Sequence, residues 1–412
     1  MFGVRLAINE DINEVLKFLE GLTKMGAQKG IQRASEIYQD RSKRAIELKA
    51  DGKEIVGYLC IYPVIEMITA AGMVPYRLFG DIREPKTKVE ACLPTVVCPY
   101  LRSVMDIGLK ERYNFLDGVV MAHSCEVAEK LAHIWKTYID QKYTFFLDVP
   151  HTIHTASREQ FRDLINDFRL SLEKYIGSPI TDGMIIDAIN AHNEQRSLVK
   201  ELYALKKSDS PPITGVETVK VLMAIMSLPV EEGNELLREV ITEAKGRGSG
   251  DNNDKKRLLL WGSIIDDTAL FELIEDVGAD VVIDDTCVGT RPFFPDVELT
   301  DDPLVGLANR YLVDIKCPRT FKEVKYGEKK KDYMEDLESR FGYIKKLSDE
   351  WNVDGIILHS LRYCDIHGYE IPGLKDYFES VGIQSIYIEP DYTEAALAPL
   401  RTRIEAFLET LD

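Results

Sequence analysis

The sequence predicts an α/β protein of two lobes, each with a mainly parallel sheet, plus helical N-terminal and connector segments. Three observations predict it. Short apolar runs alternate with amphipathic stretches over residues 51–156 and again over 256–412, the pattern of strands joined by crossover helices. Residues 157–255, in contrast, carry only helical periodicity before a polar loop. Finally, Leu116-Asp117-Gly118-Val119-Val120 is echoed by Val353-Asp354-Gly355-Ile356-Ile357, each ahead of a cysteine. A chain of 412 residues also exceeds what one ordinary core holds.

The elements follow in order. Residues 1–50 read as helical, with Val15, Leu16, Leu19 and Leu22 at helical spacing. GKEIVGYLC reads as a strand ending at Cys60, and VIEMITAAG as a helix closed by Gly72. LPTVVC is a short apolar run ending at Cys98, followed by the helical YLRSVMDIGLKE. LDGVVMAHSC is a strand ending at Cys125, EVAEKLAHIWKTYID a helix, and KYTFFLDVP a further strand. Three amphipathic helices then begin at REQFRDL, TDGMIID and VEEGNEL, and GRGSGDNNDKK closes the connector as a loop.

The second lobe opens with the strand RLLLWGSII and the helix TALFELIEDVG. ADVVIDDTC is a strand ending at Cys287, and PLVGLANRYLVDIKC a mixed helix-to-strand segment ending at Cys317. A charged helix around EKKKDYMEDLESRFGYIKKLSDEW leads to VDGIILHSLRYC, a strand ending near Cys364. GLKDYFESVG, IQSIYIEPD and LRTRIEAFLETL supply a helix, a strand and a closing helix.

Composition narrows the function. The formal charge of −18 is spread along the chain and repels phosphate backbones, so nucleic acid is not an expected partner. No apolar run approaches the roughly 20 residues that cross a bilayer, and the first residues lack a signal-peptide pattern. A cytoplasmic location is therefore expected. In a reducing compartment seven cysteines do not make a disulfide framework. They are either small buried hydrophobes or metal-binding thiols. Their positions favour metal. Six of them fall at or just beyond the ends of strand-like runs, the edge where open α/β sheets collect ligands. Cys92 precedes such a run and reads as structural.

No CxxC supports a zinc ribbon or finger. Soft thiolates suit iron–sulfur clusters, and six of them are enough for two cubanes with three thiolates each. GxxxxGK[ST] and GxGxxG are both missing from the sequence, so ATP or NAD binding by those loops is not expected. For protons and charge, His123 and His359 precede Cys125 and Cys364 closely, Glu66 follows Cys60, and Arg291 follows Cys287. Each also has a plain structural reading, as a satisfied histidine, an ion pair or a buried cation. Asp284 and Asp285 beside Cys287 disfavour a thiolate until a cation binds.

The stretches GYLCIYPVIEMITAAGMVP, VVCPYLRS, LDGVVMAHSCE, VVIDDTCVGTR and VDGIILHSLRYCD resemble the 2-hydroxyacyl-CoA dehydratase and benzoyl-CoA reductase superfamily. The resemblance runs from about residue 51 to the C-terminus. It implies Rossmann-like or flavodoxin-like lobes and one [4Fe–4S] cluster on three cysteines, matching Cys98, Cys125 and Cys364 by motif. The additional Cys60, Cys287 and Cys317 resemble the double-cubane cluster protein branch, which implies an [8Fe–9S] centre in each subunit of a homodimer. It also implies a Pro-x-x-Glu motif at Pro63–Glu66, and a separate ATP-hydrolysing iron–sulfur activator that delivers electrons. The expected activity is low-potential reduction of a small molecule. The alternatives are a dehydratase or benzoyl-CoA reductase subunit with one [4Fe–4S] cluster, and a non-catalytic electron carrier.

Overall fold

Two four-stranded, all-parallel sheets frame the protein in a computed structural model that describes residues 30–248, 255–320 and 332–411. In the first sheet β1 (Ile55–Leu59), β2 (Val74–Arg77), β3 (Gly118–Ala122) and β4 (Tyr143–Leu147) are ordered β2-β1-β3-β4. In the second, β5 (Lys256–Gly262), β6 (Ala279–Asp285), β7 (Gly355–His359) and β8 (Ser385–Ile388) are ordered β6-β5-β7-β8. The two orders are the same when counted from each lobe's first strand, so the repeat suspected from the sequence echo is a repeat of topology. The lobes are Rossmann-like. Every residue of the central strands β1, β3 and β7 is buried, because helices cover both faces of a parallel sheet.

The echo itself has a structural task. Asp117 accepts from the Ile55 amide at 3.0 Å, and its own amide donates to the Ile55 carbonyl. Asp354 does the same with Arg257, accepting from its amide at 2.7 Å and donating to its carbonyl. Each aspartate pins the start of its lobe's first strand to the strand that follows the switch in sheet order. The glycines behind them permit close approach. A Cβ at Gly118 would come within 2.5 Å of the Tyr143 carbonyl oxygen.

The connector helices are Thr155–Ile176, Asp182–Ala204, Gly215–Ile225 and Val230–Arg247. The first lies on β4 and on Pro303–Ala308, so it joins the first sheet to a segment of the second lobe. The last two pack with the N-terminal helix Gly30–Gln39. One hydrophobic cluster runs through both sheets, and a second lies under the two long connector helices. Among the described residues no helix is long and apolar enough to cross a membrane.

Two elements that the sequence pattern does not mark appear, and two local expectations are corrected. β2 is a strand that the sequence pattern hides, because Pro75 interrupts it; proline is tolerated there since β2 lies at the sheet edge. Gly215–Ile225 is a helix, started by a capping box of Thr214 and Glu217. The run LPTVVC forms turns and not a strand, so Cys98 begins a helix without closing a strand. Residues 303–317 contain the helix Pro303–Ala308 and the π-helical Asn309–Asp314, with no strand. The helical reading of Val15–Leu22, most of the loop GRGSGDNNDKK and the start of the charged helix lie outside the described residues.

Candidate metal centre

In a sheet ordered 2-1-3-4 the connections leave β1 and β3 in opposite directions, and a crevice opens beyond their carboxyl ends. The thiols gather there. Cys60, Cys125, Cys287, Cys317 and Cys364 line one cavity of about 90 Å³, shared by both lobes. Cys98 is buried behind it, within electrostatic reach of Cys125 and Cys364.

The six divide into two sets by local structure. Cys98, Cys125 and Cys364 each stand at the N-cap of a helix: Pro99–Leu109, Glu126–Tyr138 and the short Asp365–Gly368. Amide N–H groups at a helix start favour negative charge, and the Ala128 amide points at the Cys125 sulfur at 3.4 Å. Cys60, Cys287 and Cys317 lie in turns beside guanidinium and phenol groups instead. Arg77 donates to the Cys60 carbonyl, and Arg291 Nη1 lies 3.6 Å from the Cys287 sulfur. Tyr62 and Arg319 flank Cys317 on the cavity wall. Cys60 itself has φ of +74°, and Tyr363, just before Cys364, has +63°. Left-handed backbone is unfavourable at both residues, and it aims the following or attached side chain into the crevice.

The electrostatics tie the thiols into one group. Burial raises the thiols of Cys98 and Cys287 to about 12 and that of Cys125 to about 11; it raises Cys317 and Cys364 as well. Repulsion between neighbouring sulfurs adds to this. It links Cys98, Cys125 and Cys364 pairwise, and likewise Cys60, Cys287 and Cys317. Two further links, Cys60 with Cys125 and Cys317 with Cys364, join the sets. Thiols raised in this way need a cation to become thiolates.

A single ion does not suit the spacing. Thiolates about 2.3 Å from zinc sit roughly 3.8 Å apart. Among the described residues no three of these sulfurs fall within 4.8 Å of one another. The donor set, all sulfur and widely spaced, fits a polynuclear cluster better.

Cys92 stands apart, its thiol donating to the Val89 carbonyl at 3.4 Å. Arg291 is buried against Asp285 at 3.0 Å, and it also contacts the Gly262 carbonyl and His367. His123 lies outside the cavity, on Asp148 at 2.7 Å, with Glu129 and His151 near it. His359 is buried on β7, its Nδ1 3.3 Å from the Ser263 hydroxyl, and burial pushes its imidazole down to about 3. Glu66 does not line the thiol cavity. Burial would raise its carboxyl, but Arg196, His192 and Arg310 outweigh that and hold it down to about 2. It pairs with Arg196 and accepts from the Tyr311 hydroxyl at 2.7 Å.

Sequence reasoning missed four cavity-wall residues. His367 follows Cys364 by one helical turn, and Tyr62 and Arg319 follow Cys60 and Cys317 by two residues each. That spacing was a usable signal. Arg77 had none, since it ends the strand that Pro75 conceals.

The family model described as 2-hydroxyglutaryl-CoA dehydratase, D-component, matches residues 60–411. The chain is 25% identical over 388 residues to a benzoyl-CoA reductase subunit of Thauera aromatica, covering 92% of this chain and 97% of the relative. It is also 25% identical over 368 residues to the (R)-phenyllactyl-CoA dehydratase beta subunit of Clostridium sporogenes, covering 88% and 93%. The (R)-2-hydroxyglutaryl-CoA dehydratase subunit beta of Acidaminococcus fermentans is 25% identical over 371 residues, covering 88% and 94%.

Proposed function

The chain belongs to the 2-hydroxyglutaryl-CoA dehydratase D-component family, and from that premise we propose that it is an iron–sulfur reductase whose six gathered thiols hold two cubane clusters. The observation that carries the proposal is the gathering of five of those thiols around one cavity with Cys98 behind it, three of the six at helix N-caps and three outside helices. Three sulfurs per set match the needs of a cubane that leaves one iron without a protein thiolate. The residues 51–156 and 256–412 act as the two lobes that bring the sets together.

Such a centre supplies low-potential electrons for the reduction of a small molecule. The protein's own groups do the rest. Helix N-termini favour the thiolates of Cys98, Cys125 and Cys364. Arg77, Arg291 and Arg319 offset charge around Cys60, Cys287 and Cys317. Apolar walls from Leu59, Leu101, Ile264 and Ile366 limit water at the thiols. Electrons come from a separate ATP-hydrolysing iron–sulfur activator, and the working form is a homodimer in the cytoplasm. His123, partly buried beside Asp148 and His151, is a candidate proton donor for that centre.

A second reading has support of its own. The relatives named as dehydratase beta subunits match this chain over nearly all of their length. On that reading only Cys98, Cys125 and Cys364 hold a single [4Fe–4S] cluster, and a different subunit completes a 2-hydroxyacyl-CoA dehydratase.

Iron and acid-labile sulfide per chain, measured on protein purified without oxygen, separate the two. About eight irons per chain are expected for two cubanes, and about four for the second reading. Each of the six Cys→Ala variants is expected to lose iron. Full iron retention in Cys60→Ala, Cys287→Ala and Cys317→Ala would sink the two-cubane proposal and leave the dehydratase reading.

A further inference from the structure

A second, smaller cavity of about 40 Å³ lies behind the thiol cavity, and Arg77 lines both. Its polar lining includes Arg77, His192, Gln195, Arg196, Arg310 and Tyr311, closed by apolar side chains from the helix Gly215–Ile225 and the turn after it. All six of these residues are buried.

Two features of this lining call for an occupant. The first is hydrogen bonding. Nε of Arg77, Nδ1 of His192 and Nε2 of Gln195 are buried with no partner among the described residues. Buried polar atoms are paired in folded proteins, with protein or with something held in place. Arg77 Nε and Gln195 Nε2 can only donate, so these two orphans point to a guest with acceptor atoms, while His192 Nδ1 donates or accepts according to the tautomer set by Thr69 at its Nε2.

The second feature is charge. Three guanidinium groups line the cavity, and among the described residues Glu66 is the carboxylate buried with them; it is taken up by Arg196 and Tyr311. Arg77 answers the thiol side, being held by the Cys60 carbonyl and close to Cys60 and Cys287. Arg310 is bonded to the neutral carbonyls of Pro292 and Pro295. The nearest further acid, Asp296, is half exposed and paired with Lys200 at 2.7 Å. Burial and the repulsion of Arg196 push the Arg310 guanidinium down to about 10. Water would satisfy the orphan donors but leave the charge uncompensated, and a buried uncompensated charge is the costlier defect.

We infer that this cavity is a binding site for a small monoanion of about formate size, held by Arg77, Gln195 and Arg310 beside the thiol centre. The volume sets the upper limit, since about 40 Å³ accommodates two or three water positions. The anion accepts from Arg77 Nε and Gln195 Nε2 and neutralises Arg310. It is bound across Arg77 from Cys60, so the two cavities communicate through one side chain.

The test uses the complete protein, purified without oxygen and kept in chloride-free buffer, with formate as the probe. Calorimetric titration is expected to show one saturable site per chain, and formate is expected to raise the melting temperature. Arg310→Met is expected to weaken formate binding at least about tenfold. That variant breaks carbonyl contacts, so Gln195→Leu is the second variant. It deletes only an orphan donor, and is expected to fold normally, weaken formate binding by several-fold and keep its iron. Retained iron separates a failure here from a failure of the thiol reading. Crystals soaked in bromide are expected to show an anomalous peak within hydrogen-bonding distance of Arg77 Nε and Gln195 Nε2. No saturable site, equal formate response in Gln195→Leu, or water alone in the bromide-soaked cavity would each overturn the proposal.

Discussion

His367 sits between two groups that decide where its proton is. Arg291 Nη1 faces its Nε2 at 3.1 Å, and the Cys364 sulfur faces its Nδ1 at 3.5 Å. Arginine only donates, so Nε2 accepts and the neutral ring carries its proton on Nδ1, pointing at the sulfur. Arg291 therefore serves both sets of thiols, Cys287 directly and Cys364 through His367. Hydrogen bonds to cluster sulfurs stabilise the more negative, reduced state. On the iron–sulfur reading, His367→Phe is expected to keep its iron and move the reduction potential to a more negative value in an EPR-monitored titration. An unchanged potential would make His367 a packing residue. The pair of Glu66 and Arg196 is a stability matter instead. Glu66→Gln leaves Arg196 buried without its carboxylate, and is expected to cost about 3–5 kcal/mol in denaturant unfolding. The Glu66 carboxyl is held down to about 2 in the fold, so its contribution is present above the unfolded value of about 4.5 and is lost as pH falls from there towards about 2.

At the scale of elements, the two aspartate pins are the clearest case of sequence becoming structure. Asp117 and Asp354 each hold a strand start through one amide, but Asp117 also carries Lys49 and Lys142, the latter at 2.9 Å. Asp354→Ala is expected to cost about 1–3 kcal/mol, the usual range for a lost partner of a backbone amide. Asp117→Ala is expected to cost more than Asp354→Ala, measured side by side by chemical denaturation. Equal losses would mean the two lysines contribute nothing beyond solvent-screened attraction. The echo was legible because it repeats in a strand register that periodicity reveals. β2 was not, since a proline-broken edge strand of four residues has no alternation to read. The helix Gly215–Ile225 was passed over for a related reason. It is buried almost all round, so it lacks the polar face that marks a helix in sequence.

For the molecule as a whole, stability against acid is the sum of opposed groups. Burial holds His192 down to about 4 and His359 down to about 3. Both take up protons more readily when unfolded, so their contribution is full above about 6.5 and falls with pH below it. Asp267 acts in the opposite sense, because burial and the neighbouring Asp266 raise it to about 7. Its contribution is present below the unfolded value and is lost as pH rises through about 7. Between pH 4 and 6.5 the wild-type protein is therefore expected to lose stability gently on acidification. Asp267→Asn is expected to lose it more steeply, by at most about 1.4 kcal/mol per pH unit. Denaturant unfolding of both proteins at several pH values checks this, and parallel curves would show that Asp267 stays ionised.

By itself the sequence determined the class of the fold, the duplication of the lobes and the crevice that five of the six cysteines line. Those properties follow from periodicity along the chain and from the rule that parallel sheets bind at their carboxyl ends. Only the tertiary structure decided how the thiols divide. Cys98 and Cys364 are 266 positions apart yet Cys98 raises the Cys364 thiol, and nothing along the chain records such proximity. The same holds for the arginines. Arg77, Arg196 and Arg310 come from a strand, a connector helix and a π-helical turn, and they share a cavity only once the lobes have closed on the connector. Periodicity is local and survives in the sequence; charge balance in a buried space depends on every element that lines it.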